Sequence, residues 1–199
     1  MQMPVVRSSL GAMFRFLLCV GVICLLIEGK IGRGDELSSQ PNSSKALFVA
    51  IQKLLPGAVI LRPDQVDDRE CNVSNSPGLV RADFNGDGFE DAAALLVTDI
   101  ADKGRVLEGR EFRKANFLLA LFMNDGKGGF RTRRVDKFSD EIPTATVLSL
   151  AKPGRIFSLE NETNETVLKN PAFIIHFCGK SSAAYALVGN RLKEIVLSD

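Results

Sequence analysis

Oxygen-bearing side chains recur along one short stretch of this 199-residue chain, Asp83-Phe84-Asn85-Gly86-Asp87-Gly88-Phe89-Glu90-Asp91. Counted from Asp83 they fall at positions 1, 3, 5 and 9, and Phe89 at position 7 can add its backbone carbonyl. A tightly curled loop aims alternate residues at one centre, and calcium takes about 6–8 oxygens at roughly 2.3–2.6 Å. Gly86 and Gly88 permit the positive φ that such curling demands. Three carboxylates brought together repel one another, so a cation is the partner that would hold them there. A helix–loop–helix calcium loop needs Glu at position 12, and here that position is Ala94. The flanks alternate in the manner of strands. A metal-free Asn-Gly-Asp-Gly hairpin is the other reading of the same residues.

A second pair of reactive side chains lies far downstream. The one histidine, His176, stands two residues from Cys178. A thiol beside an imidazole is the arrangement of a cysteine nucleophile, provided that the thiolate reaches both base and substrate. Both alternating faces of Pro171–Cys178 are apolar, however, which favours a central strand covered on both sides and both residues in a core. The basic run Arg131, Arg133, Arg134 and Lys137 reads as a solvated strand face.

The N-terminus reads as an address. Arg7 and Arg15 precede an unbroken apolar run from Phe16 to Ile27, the pattern of a secretory signal. The run is shorter than the roughly 20 residues of a spanning helix, and the alternative is an uncleaved anchor. Residues 1–33 hold Arg7, Arg15, Lys30 and Arg33 against Glu28, so taking their +3 from the chain's +1 leaves −2 for residues 34–199. A mildly acidic domain with no Trp and one Tyr has neither the charge nor the stacking surface for nucleic acid. Cys19 and Cys24 lie within the apolar run, leaving Cys71 and Cys178. In an oxidising compartment that isolated pair is most simply one disulfide, two separate buried thiols being the alternative.

The rest of the chain supplies the elements that must position these groups. Residues 34–44 are polar and turn-rich and read as a linker. Ser43 or Ser44 can cap a helix running to about Leu55, with Leu47, Phe48, Ile51, Leu54 and Leu55 at helical spacing and Pro56-Gly57 as its stop. Strands are expected at Val59–Leu61, Leu79–Asp83, Ala92–Thr98, Asn116–Met123, Phe130–Val135 and Thr146–Leu150. Ala172–Phe177, Ala183–Val188 and Leu192–Leu197 complete the set, the last two joined by a Gly189-Asn190 turn. Asp102–Lys114 and Phe138–Thr144 are polar and read as surface loops. Sequons at Asn42, Asn72, Asn161 and Asn164 would mark exposed loops in a eukaryotic secretory pathway. The fold class that follows is α+β, a predominantly antiparallel β-sheet with one N-terminal helix packed on it. Residues 1–33 are the signal peptide or anchor, 34–44 the linker and 45–199 one domain.

Leu79-Val80-Arg81-Ala82 leads into the Asp-rich loop as one strand, and Ala93–Val97 leaves it as another. Leu121-Phe122-Met123-Asn124-Asp125-Gly126-Lys127-Gly128-Gly129-Phe130 follows as a strand and an Asn-Asp-Gly hairpin ending at Phe. Over residues 79–130 the chain thereby resembles the FG-GAP/VCBS type of repeat, whose Asp-x-Asp/Asn-x-Asp-Gly-x-x-Asp loop sits between β-strands. The resemblance implies calcium bound by Asp83, Asn85, Asp87, the Phe89 carbonyl and Asp91. It further implies a surface or exported protein that works as a binding module. Such repeats usually form propellers of about 4–8 blades. A single loop in about 165 mature residues, at roughly 40–50 per blade, cannot close that ring. The expectation is therefore a secreted, periplasmic or cell-surface calcium-binding module for a protein or carbohydrate ligand. It would touch a membrane only through an N-terminal segment left uncleaved. A small extracellular hydrolase using His176 and a structural subunit of a larger β-assembly are the competing expectations.

Overall fold

Apolar side chains on both faces of one strand set the layering. The computed structural model describes residues 41–158 and 161–197, without the side chains of residues 41–42 and 161–164. The expected signal or anchor, Cys19, Cys24 and nearly all of the linker lie outside the described residues.

The chain begins with α1 (Pro41–Leu54). It opens three or four residues earlier than a Ser43 or Ser44 cap implies, at Pro41, a residue whose missing N–H costs nothing at a helix start. Ser43 and Ser44 are thus within the first turn and do not act as the cap; Ser43 Oγ instead accepts from Arg81 at 3.2 Å. The strands follow as β1 (Val59–Ile60), β2 (Leu79–Ala82), β3 (Asp91–Thr98), β4 (Arg105–Leu107), β5 (Arg110–Asn124) and β6 (Phe130–Ile142). They continue as β7 (Thr146–Ala151), β8 (Gly154–Ser158), β9 (Asn161–Leu168), β10 (Ala172–Phe177), β11 (Ser181–Val188) and β12 (Arg191–Leu197). All pairings between these strands are antiparallel, and one α-helix accompanies them among the described residues. No described helix is long and apolar enough to cross a membrane.

A six-stranded sheet carries β3 and β5 at its centre, with β1 and β2 on β3 and with β4 and β6 on β5. Every residue from Asp91 to Val97 of β3 is buried, because both faces of the sheet are covered. Leu47, Ala50 and Ile51 of α1 pack on Ala92, Ala94, Leu96, Leu118, Ala120 and Phe122. The opposite face presents Leu95, Phe117, Leu119 and Leu121 to Phe173, Ile175 and Tyr185 of the second sheet, ordered β12-β11-β10-β7. The outer side of that sheet is closed by the β8–β9 hairpin through Leu168 and Ile156. The layers are therefore helix, six strands, four strands and hairpin, as expected for helix-covered antiparallel sheet.

The two segments expected as polar loops are strands. Asp102–Lys114 contains β4 and the start of β5, and β6 runs unbroken through Phe138 to Ile142. Their ladder is held by charge pairing and a few apolar anchors. Arg105 reaches Glu141 at 2.7 Å, its guanidinium lies 5.4 Å from the Phe112 ring centroid, and Phe112 and Ile142 are buried. The β8–β9 hairpin has no counterpart among the expected strands, and it places the Asn161 and Asn164 sequons on a strand, where loops were expected. Asn72 is exposed outside any strand, whereas the Asn42 side chain lies outside the described residues.

Candidate functional site

Ala82 and Asp91 face each other across the β2–β3 ladder, so residues 83–90 form the closing loop of a hairpin. All five residues expected as metal ligands lie on this one turn. Asp83 organises it from inside: Oδ1 accepts the N–H of Gly86 at 2.7 Å and of Asp87 at 3.1 Å, and Oδ2 that of Gly88 at 2.8 Å. Asn85 Oδ1 accepts from Asp87 N at 2.8 Å, while Asn85 Nδ2 donates to Asp87 Oδ2 at 2.8 Å. Asp87 Oδ1 accepts the Phe89 N–H at 2.9 Å. Gly86 sits at φ +79, and a Cβ there would stand 2.9 Å from the Asn170 side chain. Glycine takes that φ without strain, and the Asn170 amide closes over it.

Asp91 is fully buried and anchors the loop to its neighbours. Its Oδ2 accepts from Phe84 N at 3.1 Å and its Oδ1 from Asn124 N, on the adjoining β5, at 2.8 Å. Burial pushes its carboxyl up to about 6, against the lowering effect of those two hydrogen bonds, and the charges of Asp87 and Asp83 raise it further. Phe84 is buried and meets Phe173 edge-on at 5.5 Å, tying the loop to the second sheet. On the other side the loop locks to the Asn124–Gly129 turn. Asn124 Nδ2 donates to the Glu90 carbonyl at 3.2 Å, and the Phe89 ring lies where a Cβ on Gly126 would stand, at 2.7 Å.

The donors are oxygens throughout, which suits a hard cation. None of Asp83, Asp87 and Asp91 pairs with a Lys or Arg among the described residues. Among those residues, no group of three or more His, Cys, Asp and Glu side chains converges closely enough to clasp an ion. The hydrogen bonds account for the spread: Asp91 turns both oxygens to buried amides, and Asp83 turns its own to the amides of the turn. The loop thus matches a calcium ligand set in donor chemistry, with its carboxylates drawn partly away from one another by backbone N–H groups.

The second candidate pair does not survive. Cys178 is bonded to Cys71, with Cα atoms 5.5 Å apart, so no thiolate stands beside His176 and the thiol–imidazole nucleophile is overturned. His176 instead bridges two hydroxyls absent from the sequence-level reading. Its Nε2 lies 2.7 Å from Ser149 Oγ of β7 and its Nδ1 2.9 Å from Ser182 Oγ of β11. A neutral imidazole donates through one nitrogen and accepts through the other, so the two serines take opposite roles. His176 is opposite Ser182 in register, and Ser149 is opposite Ile174. That adjacency depends on strand order, and the linear sequence carries no trace of it.

At the end of β5 remote from the loop, a cleft of about 520 Å³ opens beside the disulfide. Phe112, Phe138 and Phe177 give it an aromatic side, and Asp67, Arg105 and Lys180 a charged one. No protein-family model, curated protein or solved structure matches the chain.

Proposed function

We propose that the protein is an exported binding module whose Asp83–Asp91 loop holds a structural calcium ion through Asp83, Asn85, Asp87, the Phe89 carbonyl and Asp91. One observation carries this reading. Three carboxylates, Asp83, Asp87 and Asp91, share a nine-residue stretch, and none of them is ion-paired among the described residues, the nearby Arg81 being taken by Glu90 at 3.0 Å. A bound ion supplies the missing positive charge and joins the β2–β3 loop to the Asn124–Gly129 turn behind it. The resemblance of residues 79–130 to an FG-GAP/VCBS repeat supports the same ligand set. The Cys71–Cys178 disulfide accords with a non-reducing compartment, whether extracellular, periplasmic or at the cell surface. In this reading the aromatic and charged cleft at the far end of β5 takes the protein or carbohydrate ligand, and the ion does no chemistry.

Because the unbound carboxylates repel, calcium at a hundredfold excess over its Kd is expected to stabilise the fold by about 2.7 kcal/mol. At roughly 2–4 °C per kcal/mol, scanning calorimetry should register a rise of about 5–10 °C. Asp87→Asn keeps an acceptor for the Phe89 N–H but removes a charge, and it should abolish most of that rise. Identical melting temperatures in calcium and in excess chelator would sink the proposal.

The Ser149–His176–Ser182 cluster favours a second reading, a serine hydrolase in which His176 activates Ser149. A fluorophosphonate probe tests it. Labelling of Ser149 that disappears in His176→Ala supports the enzyme. The expected result is no labelling together with a stability loss of about 1–3 kcal/mol, since Ser182 is buried and loses a partner. The cluster is then a structural tie across three strands.

A further inference from the structure

The side of the fold carrying α1 has a charge pattern that its net charge hides. Lys45, Val49 and Lys53 form one stripe of the helix, and with Ala46 they border Phe130 and Gly128 at the start of β6. Lys45 and Lys53 are exposed, as is Arg134 of β6, an outer strand of the six-stranded sheet; opposite Ala120, Arg134 shares the helix-covered face, whereas Arg131 and Arg133, opposite Met123 and Leu121, lie on the other. None of Lys45, Lys53 and Arg134 pairs with a carboxylate among the described residues. Elsewhere Arg62, Arg69, Arg81, Arg105, Arg110 and Arg155 each do. Residues 41–54 contain no Asp or Glu. The nearest acids on the adjoining strand and turn are spoken for or placed apart. Asp125 is engaged by the N–H groups of Lys127 and Gly129, and Asp136 lies beyond the bulge after Arg134, opposite Leu119. Lys137 lies farther along β6, beyond the bulge and opposite Leu118.

Between the two lysines the helix raises an apolar tip. Phe48 is 62% exposed and Val49 58%, although the other side of the helix already buries Leu47, Ala50 and Ile51 against the sheet. A bulky apolar pair ringed by unpaired cations suits an anionic lipid surface: the apolar pair enters the acyl boundary while Lys and Arg stay among the phosphates. The chain itself argues for that occupant over others. The apolar run Phe16–Ile27 lies just upstream, and residues 28–40 reach at most about 45 Å. A helix tethered so closely to a membrane-seeking segment meets lipid first while that segment is attached.

We propose that α1 and the adjoining face of β6 form a membrane-docking face, with Phe48 and Val49 inserted and Lys45, Lys53 and Arg134 on anionic headgroups. This contact is separate from the N-terminal segment and independent of the calcium loop. Hydroxyl-radical footprinting of the full chain tests it, because Phe48 oxidation reports side-chain exposure whether or not residues 1–33 are inserted. On vesicles of phosphatidylcholine with about a third phosphatidylglycerol, Phe48 is expected to react at least fivefold more slowly than without vesicles. Phe157, 60% exposed on β8, should be unchanged. The triple charge reversal Lys45→Glu, Lys53→Glu and Arg134→Glu should restore Phe48 reactivity, and the exposed positions leave the core intact. Four results overturn the proposal: no protection of Phe48, equal protection on pure phosphatidylcholine, protection that survives the charge reversal, or vesicle-free protection that grows with protein concentration, which assigns the face to a second copy.

Discussion

Opening the Cys71–Cys178 bridge, by reduction or by paired serine substitution, is expected to lower the unfolding free energy by about 4–5 kcal/mol. The bond joins residues 107 apart, and the chain-entropy model assigns a loop of that length a cost of this size in the denatured ensemble. The native side of the balance points the same way. Cys71 lies in the long irregular stretch between the 3₁₀ turn Pro63–Gln65 and β2, where sheet hydrogen bonds are scarce. What holds that stretch is a bridge from Val66 to Thr144, the grip of Arg69 and Arg110 on the buried Asp67, and the disulfide. Urea denaturation with and without a phosphine reductant measures the effect, and the free-energy loss should be accompanied by a larger m-value as the unlinked chain expands further. In a heating scan the same loss is about 8–20 °C. A midpoint that ignores the reductant would show that the two sheets and the Asp67 ion pairs constrain residue 71 without help.

The sequence exposed most readily the elements whose burial is uniform along their length. Ala172–Phe177 was legible to the residue, because a strand covered on both faces leaves an unbroken apolar run bounded by Pro171 and Gly179. Where one half of a strand leaves the core, that signal stops although the ladder does not. β5 and β6 continue for several polar residues past the buried Phe117 and Ala120, held by Arg105–Glu141 and by pairing across the bulge at Val135. β8 and β9 escaped for a related reason, since among their described side chains only Ile156 and Leu168 turn inward to the core. The candidate site divides along the same line. Its five residues were readable because they are contiguous. Their supports were not. Asn124 and Asn170 reach the loop from positions 33 residues beyond Asp91 and 86 residues beyond Phe84 respectively. Ser149 and Ser182 meet His176 only because β7 and β11 flank β10.

Asp91 gives the Asp83–Asp91 loop a pH signature with a definite sign. Its carboxyl stands at about 6 in the fold against an ordinary aspartate value of about 3.8, chiefly because it is buried. Between those values the native state holds a proton that the unfolded chain has released. Stability from this group is therefore complete below about pH 4 and is lost as pH rises through about 6. A shift of this size corresponds to about 3 kcal/mol. Other carboxylates act oppositely: Asp67 beside Arg69 and Glu141 beside Arg105 are held low, and they lose their contribution on acidification. The wild type alone therefore mixes two trends. Comparison with Asp91→Asn isolates one of them, because the amide keeps an acceptor for a single backbone N–H and cannot titrate. In chelator, the stability of the wild type relative to this variant is expected to fall by about 3 kcal/mol between pH 4 and pH 7, read from urea midpoints. Saturating calcium should flatten the fall, since an ion beside Asp83 and Asp87 favours the ionised form of Asp91 and replaces repulsion with attraction. A difference that stays level in chelator would mean that the Phe84 and Asn124 N–H groups alone stabilise the charge. In that case the loop has no electrostatic need of a cation, and the metal-free hairpin is the better description.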